Sequence, residues 1–137
     1  MLKIRKIYFL VVGLLFFASL AHAQKPTDNI KQDSVYKFAD VMPAYPGGQD
    51  SLIAFISKHL IYPEKARKDS TVGMVIVQFV VDEKGNVISP KILKSLSPEC
   101  DAEVIRVLST MPSWHPGKNK GKKVKTLFTL PVRFSLG

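Results

Sequence analysis

Apolar positions along the chain change period several times, and each change marks an element. Leu52, Phe55, Ile56 and Leu60 fall at i, i+3, i+4 and i+8, the spacing of one face of an amphipathic helix. The turn-rich stretch Pro43-Ala44-Tyr45-Pro46-Gly47-Gly48 precedes this helix, and Tyr62-Pro63 interrupts it. Pro63 is well placed to start a second short helix through Glu64, Lys65, Ala66 and Arg67. From Val72 to Val81 the run is β-branched and apolar on both alternating faces, which predicts a central, covered strand. Asp82-Glu83-Lys84-Gly85-Asn86 supplies a hairpin loop with Gly85 available for positive φ, and Val87 to Lys94 returns antiparallel. Pro90 has no N–H to donate, so the returning strand belongs at an edge or carries a bulge.

Ser97-Pro98-Glu99 reads as N-cap, first helical residue and early acid, the start of another helix. That helix presents Cys100, Val104, Val107, Leu108 and Met111 to the core and stops at Pro112. After Trp114-His115-Pro116-Gly117 and a lysine-rich loop, Val124, Thr126, Phe128, Leu130, Val132 and Phe134 alternate with Lys123, Lys125, Thr129 and Arg133. The last strand is therefore half buried, with a polar outer row. The order helix, short helix, strand, strand, helix, strand predicts an α+β fold: a small three-stranded antiparallel sheet with helices packed on one face.

The N-terminal texture differs. Lys3, Arg5 and Lys6 are followed by the apolar run Ile7 to Leu20 and then Ala21-His22-Ala23, the plan of a secretory signal cleaved before Gln24. A helix needs about 20 apolar residues to cross a bilayer, and this run is shorter, so a retained inner-membrane anchor is the secondary reading. Residues 24–42 are polar, mixed in charge and without period, and read as a short tether reaching about 65 Å when fully extended. The division is thus 1–23 signal peptide, 24–42 tether and 43–137 folded domain.

With 46% hydrophobic residues, the 137-residue chain has the make-up of a globular protein of one domain at most. The single cysteine, Cys100, excludes an intramolecular disulfide framework and an all-cysteine metal site. The formal net charge of +9 is uneven, since no acidic residue follows Glu103 while Lys118, Lys120, Lys122, Lys123, Lys125 and Arg133 do. An exported chain does not meet chromosomal DNA, so this charge points to other polyanions such as an acidic partner, to an anionic membrane face, or to solubility.

Catalytic material is thin. Beyond the leader the chain keeps only His59, His115 and one thiol on the apolar face of its helix, where cysteine acts as a small hydrophobe. Asp82-Glu83 falls in a hairpin loop, and Asp101 and Glu103 point to different helix faces, so all four read as solvated surface. We expect no enzyme, no cofactor and no metal. Gly117-Lys118-Asn119-Lys120-Gly121-Lys122-Lys123 has the composition of a phosphate loop, yet its glycine spacing is wrong and no Ser or Thr follows the lysine. Lys118, Lys120 and Lys122 read instead as a solvated loop, or as a basic patch that steers an acidic partner. Trp114 and Tyr45 read as core caps beside prolines, and Tyr62 divides evenly between core and contact. The final strand comes last and has a polar row, which places it at a sheet edge able to accept an extended peptide; its Lys123, Lys125, Pro131 and Arg133 are equally the residues that prevent such pairing.

Several of these segments coincide with one family. Tyr62-Pro63-Glu64-Lys65-Ala66-Arg67, Gly73 to Asp82 with Gly85 and Val87, Trp114-His115-Pro116-Gly117 and Phe128 to Phe134 together resemble the TonB C-terminal domain. Pro46-Gly47-Gly48 before a helix resembles a variant found in many envelope proteins. The resemblance covers about residues 43–137. It implies a periplasmic module that docks on TonB-dependent outer-membrane transporters, captures the transporter's N-terminal segment as a strand beside the last strand, and transmits force from an inner-membrane motor complex. Carried over by position, the partner-facing residues are Tyr62, Pro63 and the edge from Lys123 to Phe134, with Lys123, Lys125, Leu127 and Thr129 foremost. Energy-transducing members keep an uncleaved N-terminal helix and a long spacer, which this chain does not match. The alternative is therefore a soluble envelope structural or assembly factor built on the same fold.

Overall fold

The computed structural model describes residues 34–137; the expected signal peptide and the first part of the expected tether lie outside the described residues. The elements are α1 (Gln49–His59), α2 (Glu64–Lys68), β1 (Gly73–Val81), β2 (Val87–Lys94), α3 (Pro98–Ser109), β3 (Gly117–Asn119), β4 (Lys122–Val124) and β5 (Thr126–Phe134). Strands β2, β1 and β5 form a three-stranded antiparallel sheet with β1 in the centre, and β3 and β4 form a separate two-stranded ribbon. The α+β architecture is the one predicted from the sequence.

The core follows the period-two pattern of β1. Val75, Val77, Phe79 and Val81 are all 0% exposed and meet Leu130, Val132 and Phe134 of β5 with Leu52, Ala66, Cys100, Val104 and Leu108 of the helices. The opposite face of β1 is covered less completely than its apolar composition predicts, because Met74, Ile76 and Gln78 stay half-buried. Helix α3 starts as its sequence dictates: the Ser97 hydroxyl oxygen accepts from the Cys100 N–H at 3.1 Å, with Pro98 in the first turn. It ends at Ser109, so Met111, expected on its inner face, lies past its end and is half-buried. Asp101 and Glu103 are not merely solvated. Asp101 accepts from Ser95 Oγ at 2.5 Å and the Leu96 N–H at 3.1 Å, tying the helix to the chain before it, and Glu103 pairs with Arg106.

Strand β2 is both at an edge and bulged. Its register against β1 slips between Gln78 and Val80, where Ser89 takes a φ of 52° beside Pro90, and again between Ile76 and Val77. Pro90 falls within this first slip and has no register partner in β1, so its missing N–H takes no paired position from the ladder. The lysine-rich stretch expected as a plain loop is the β3–β4 hairpin, turned by Lys120 (φ 50°) and Gly121 (φ 78°). Two successive positive φ values are the turn that matches the twist of a tight ribbon. Among the described residues, no helix is long and apolar enough to cross a membrane.

Candidate functional site

The last strand is an edge strand of the three-stranded sheet, and its outer side carries backbone groups that β1 does not use. Which of its backbone groups face outward follows from one contact. The Leu127 N–H donates to the Tyr36 carbonyl at 2.8 Å, and the Tyr36 N–H donates to the Lys125 carbonyl at 2.9 Å, forming a parallel bridge on the side away from β1. Since strand backbone groups alternate sides, Thr129, Pro131 and Arg133 also aim outward. Pro131 has no N–H, so the outward donors beyond the bridge are Thr129 and Arg133, with the carbonyls of Leu127, Thr129, Pro131 and Arg133 as acceptors. None of these has a backbone partner among the described residues.

The segment holding Tyr36 belongs to the expected tether, yet it is fastened to the domain. Val41 and Lys118 exchange backbone bonds of 2.9 and 2.8 Å, and Ala44 and His115 exchange bonds of 3.0 and 2.8 Å. Asp40 anchors the turn of the ribbon: its N–H donates to Asn119 Oδ1 at 2.8 Å and its carboxylate accepts from the Lys120 N–H at 2.9 Å. Residues 36–44 thus form a strap along β3 and the start of β5, and the compact unit begins at Val35 rather than at Pro43.

Beside the outer edge lies a groove of about 320 Å³, walled by Pro43, Tyr45, Leu52, Trp114, Phe128 and Leu130 and rimmed by Thr129 and Pro131. Aromatic packing holds its shape. Trp114 makes edge contacts with Tyr45, Phe79 and Phe128 at ring-centre distances of 5.6, 5.4 and 5.0 Å. Tyr45 and Trp114 are 8% and 3% exposed, which makes them core residues as expected, although both also form the groove wall. Trp114 Nε1 is a buried donor without an acceptor among the described residues.

The positions carried over from the resemblance separate into groups. Lys125, Leu127 and Thr129 sit on or beside the outer edge, the first two already engaged by Tyr36. Lys123 does not belong there: it lies in β4, opposite Lys118 of β3. Tyr62 is tied inward, its hydroxyl donating to the Thr71 carbonyl and its ring standing edge-on to Phe134 at 5.6 Å. Pro63 caps α2. Lys118, Lys120 and Lys122 share the ribbon, with Lys118, Lys120 and Lys122 all exposed. The strap and the groove were missed in the sequence because both depend on backbone bonds between residues far apart. The available signal was Tyr45, next to Pro46, and Trp114, two residues from both Pro112 and Pro116.

Two groups titrate away from their ordinary ranges, and neither faces the edge. The Glu99 carboxyl is held low, first by a hydrogen bond from its own backbone N–H at the start of α3 and then by Lys65, 3.5 Å away. The Arg106 guanidinium is raised by its hydrogen bonds to Glu103. Among the described residues no cluster of three His, Cys, Asp or Glu side chains could hold a metal.

Comparison with known proteins follows the same lines. Residues 58–136 match the family profile of the Gram-negative bacterial TonB protein C-terminal domain. Two solution structures of the Helicobacter pylori TonB C-terminal domain align with 19% identity. One covers 67% of this chain and 87% of its own at a TM-score of 0.47, the other 63% and 90% at 0.43. A comparison with curated proteins finds no match. With more than half of its length matched by the profile, the chain belongs to the TonB C-terminal domain family.

Proposed function

We propose that this domain docks in the periplasm on TonB-dependent outer-membrane transporters, taking the transporter's N-terminal segment as an added strand along β5. Members of the family are non-catalytic protein-interaction modules, which supports binding rather than chemistry as the task. The observation that carries the reading is the outward row of Thr129, Pro131 and Arg133 on an edge strand, with two donors and several acceptors free of backbone partners among the described residues. Main-chain pairing of this kind needs no particular side chain, so it suits a module that meets several transporters.

The test is a titration of fluorescently labelled transporter N-terminal peptides. Thr129→Pro removes an outward donor and places a ring in the incoming strand's path. Pro131, at the same parity two residues on, shows that β5 tolerates a proline whose missing N–H faces out. We expect Thr129→Pro to abolish binding while circular dichroism stays unchanged, and Thr129→Ala to weaken it barely. Full-strength binding by a folded Thr129→Pro variant would exclude the edge mechanism.

Force transduction from an inner-membrane motor complex additionally requires a retained anchor. The chain between Ala23 and Val35 would span at most roughly 40 Å if fully extended, a short reach that favours the second reading, an envelope structural or assembly factor. Sequencing the N-terminus of the exported protein separates an anchored from a released domain: Met1 supports an anchored transducer, and Gln24 excludes force transduction while leaving both binding and the assembly-factor reading.

A further inference from the structure

We propose that the groove beside β5 receives one uncharged, apolar side chain of the strand that pairs there, and thereby selects among extended segments. The inference rests on the edge-pairing reading and names the chemistry of the segment it takes.

The argument starts from strand geometry. On β5, Phe128 and Leu130 point to the helix side of the sheet, where they wall the groove, while Thr129 and Pro131 rim it with outward backbone groups. A strand added to that edge lies about 4.8 Å from β5, and every second side chain projects to the same helix side, directly over the groove. Side chains of one face recur about every 6.8 Å along a strand. The groove borders β5 only from Phe128 to Pro131, about 10 Å of strand, so at most two such side chains pass over it, and one of them is seated.

Its lining fixes the chemistry. No lysine, arginine, aspartate or glutamate contributes to the wall, and Gln49 and Thr129 are its polar side chains apart from the Tyr45 hydroxyl and the indole of Trp114. A charged guest would lose its hydration there without gaining a counter-ion. The chain's own strap does not fill the space. It leaves β5 after Tyr36, crosses to β3 at Val41, and returns as Pro43 and Ala44 to frame the far side of the groove.

The test uses the full chain and a transporter N-terminal peptide that binds in the titration above, with each position replaced in turn by Ala, Leu and Asp. At a single position Leu should bind roughly tenfold tighter than Ala, Asp should not bind measurably, and emission from Trp114, the chain's one tryptophan, should shift with the guest. Ala44 is exposed and lines the groove, so Ala44→Phe plugs it while leaving the backbone bonds to His115 in place. That variant should lose the Leu preference while its residual binding still requires the Thr129 N–H. Gln49→Trp serves the same purpose if Ala44→Phe fails to fold. Equal binding by Ala and Leu at every position, or a preference that survives plugging, overturns the groove assignment and leaves edge pairing intact. Binding indifferent to Thr129→Pro, or no binding by any transporter peptide, overturns edge pairing and the groove assignment with it. Self-association lost on plugging, with peptide preference unchanged, assigns the groove to a second copy and also overturns the proposal.

Discussion

Gly85 joins the hairpin between β1 and β2 to the loop that carries Trp114. Its φ is +84°, and a Cβ there would overlap the Trp114 carbonyl oxygen, while its own carbonyl accepts from the Trp114 N–H at 2.8 Å. Gly85→Ala therefore meets backbone strain and a collision with main chain together, and should cost roughly 2 kcal/mol or more in urea unfolding. Cys100 illustrates the opposite case. At 0% exposure it is a packing atom, so Cys100→Ala should cost about 1 kcal/mol, leave peptide binding unchanged, and remove a thiol that labels slowly in the native protein. Glu99 is one source of pH dependence. Its folded carboxyl titrates below the ordinary range, so its contribution to stability is present above the unfolded value and lost as pH falls through the folded one. An NMR titration should show Glu99 protonating at lower pH than an unperturbed glutamate, and Lys65→Met should move it upward. The Ser97 cap and the burial of Cys100 were legible in the sequence because both are local or periodic. The role of Gly85 was legible only in part: positive φ followed from its turn, but its contact with Trp114 joins distant parts of the chain.

At the scale of elements, two of the departures from expectation share a cause. The ribbon β3–β4 has strands of three residues and no apolar alternation, so its charge concealed its fold; Asn119-Lys120-Gly121-Lys122 was the available turn signal. The strap looks like tether as far as residue 42 because Tyr36 and Val41 are held by backbone bonds, which leave no side-chain period to detect. By contrast, Pro90 announced the bulged edge of β2, and the alternation of β5 announced its half-buried face, since both are written in side-chain chemistry. The strap also bears on binding, because Tyr36 occupies the first outward register of β5. Tyr36→Pro removes the N–H that donates to the Lys125 carbonyl and should loosen the bridge. Hydrogen exchange at the Leu127 amide should then accelerate, and transporter peptides should bind more tightly if they pair beyond Leu127 toward Lys125. Unchanged exchange at Leu127 would show that the strap is held without this bond.

For the whole molecule, charge and edge geometry act at different stages of an encounter. Lys118, Lys120 and Lys122 are exposed on the ribbon, away from the groove lining, so they influence approach more than the final contact. Replacing all three with Gln should slow association with an acidic partner at low salt and flatten its salt dependence, with dissociation little changed; stopped-flow mixing at several ionic strengths reads this directly. The two edges of the sheet are unequal as well. The outer side of β2 is interrupted by Ser89, Pro90 and two shifts of register, with Lys91 and Lys94 exposed on the strand, and such an edge does not accept another strand. In the language of polymer chemistry, the β2-β1-β5 sheet is a monomer of functionality one: it offers a single reactive edge, and any edge-to-edge union consumes it on both sides. Copies that meet through β5 stop at pairs, so sedimentation at rising concentration should show β5 pairing end at the dimer.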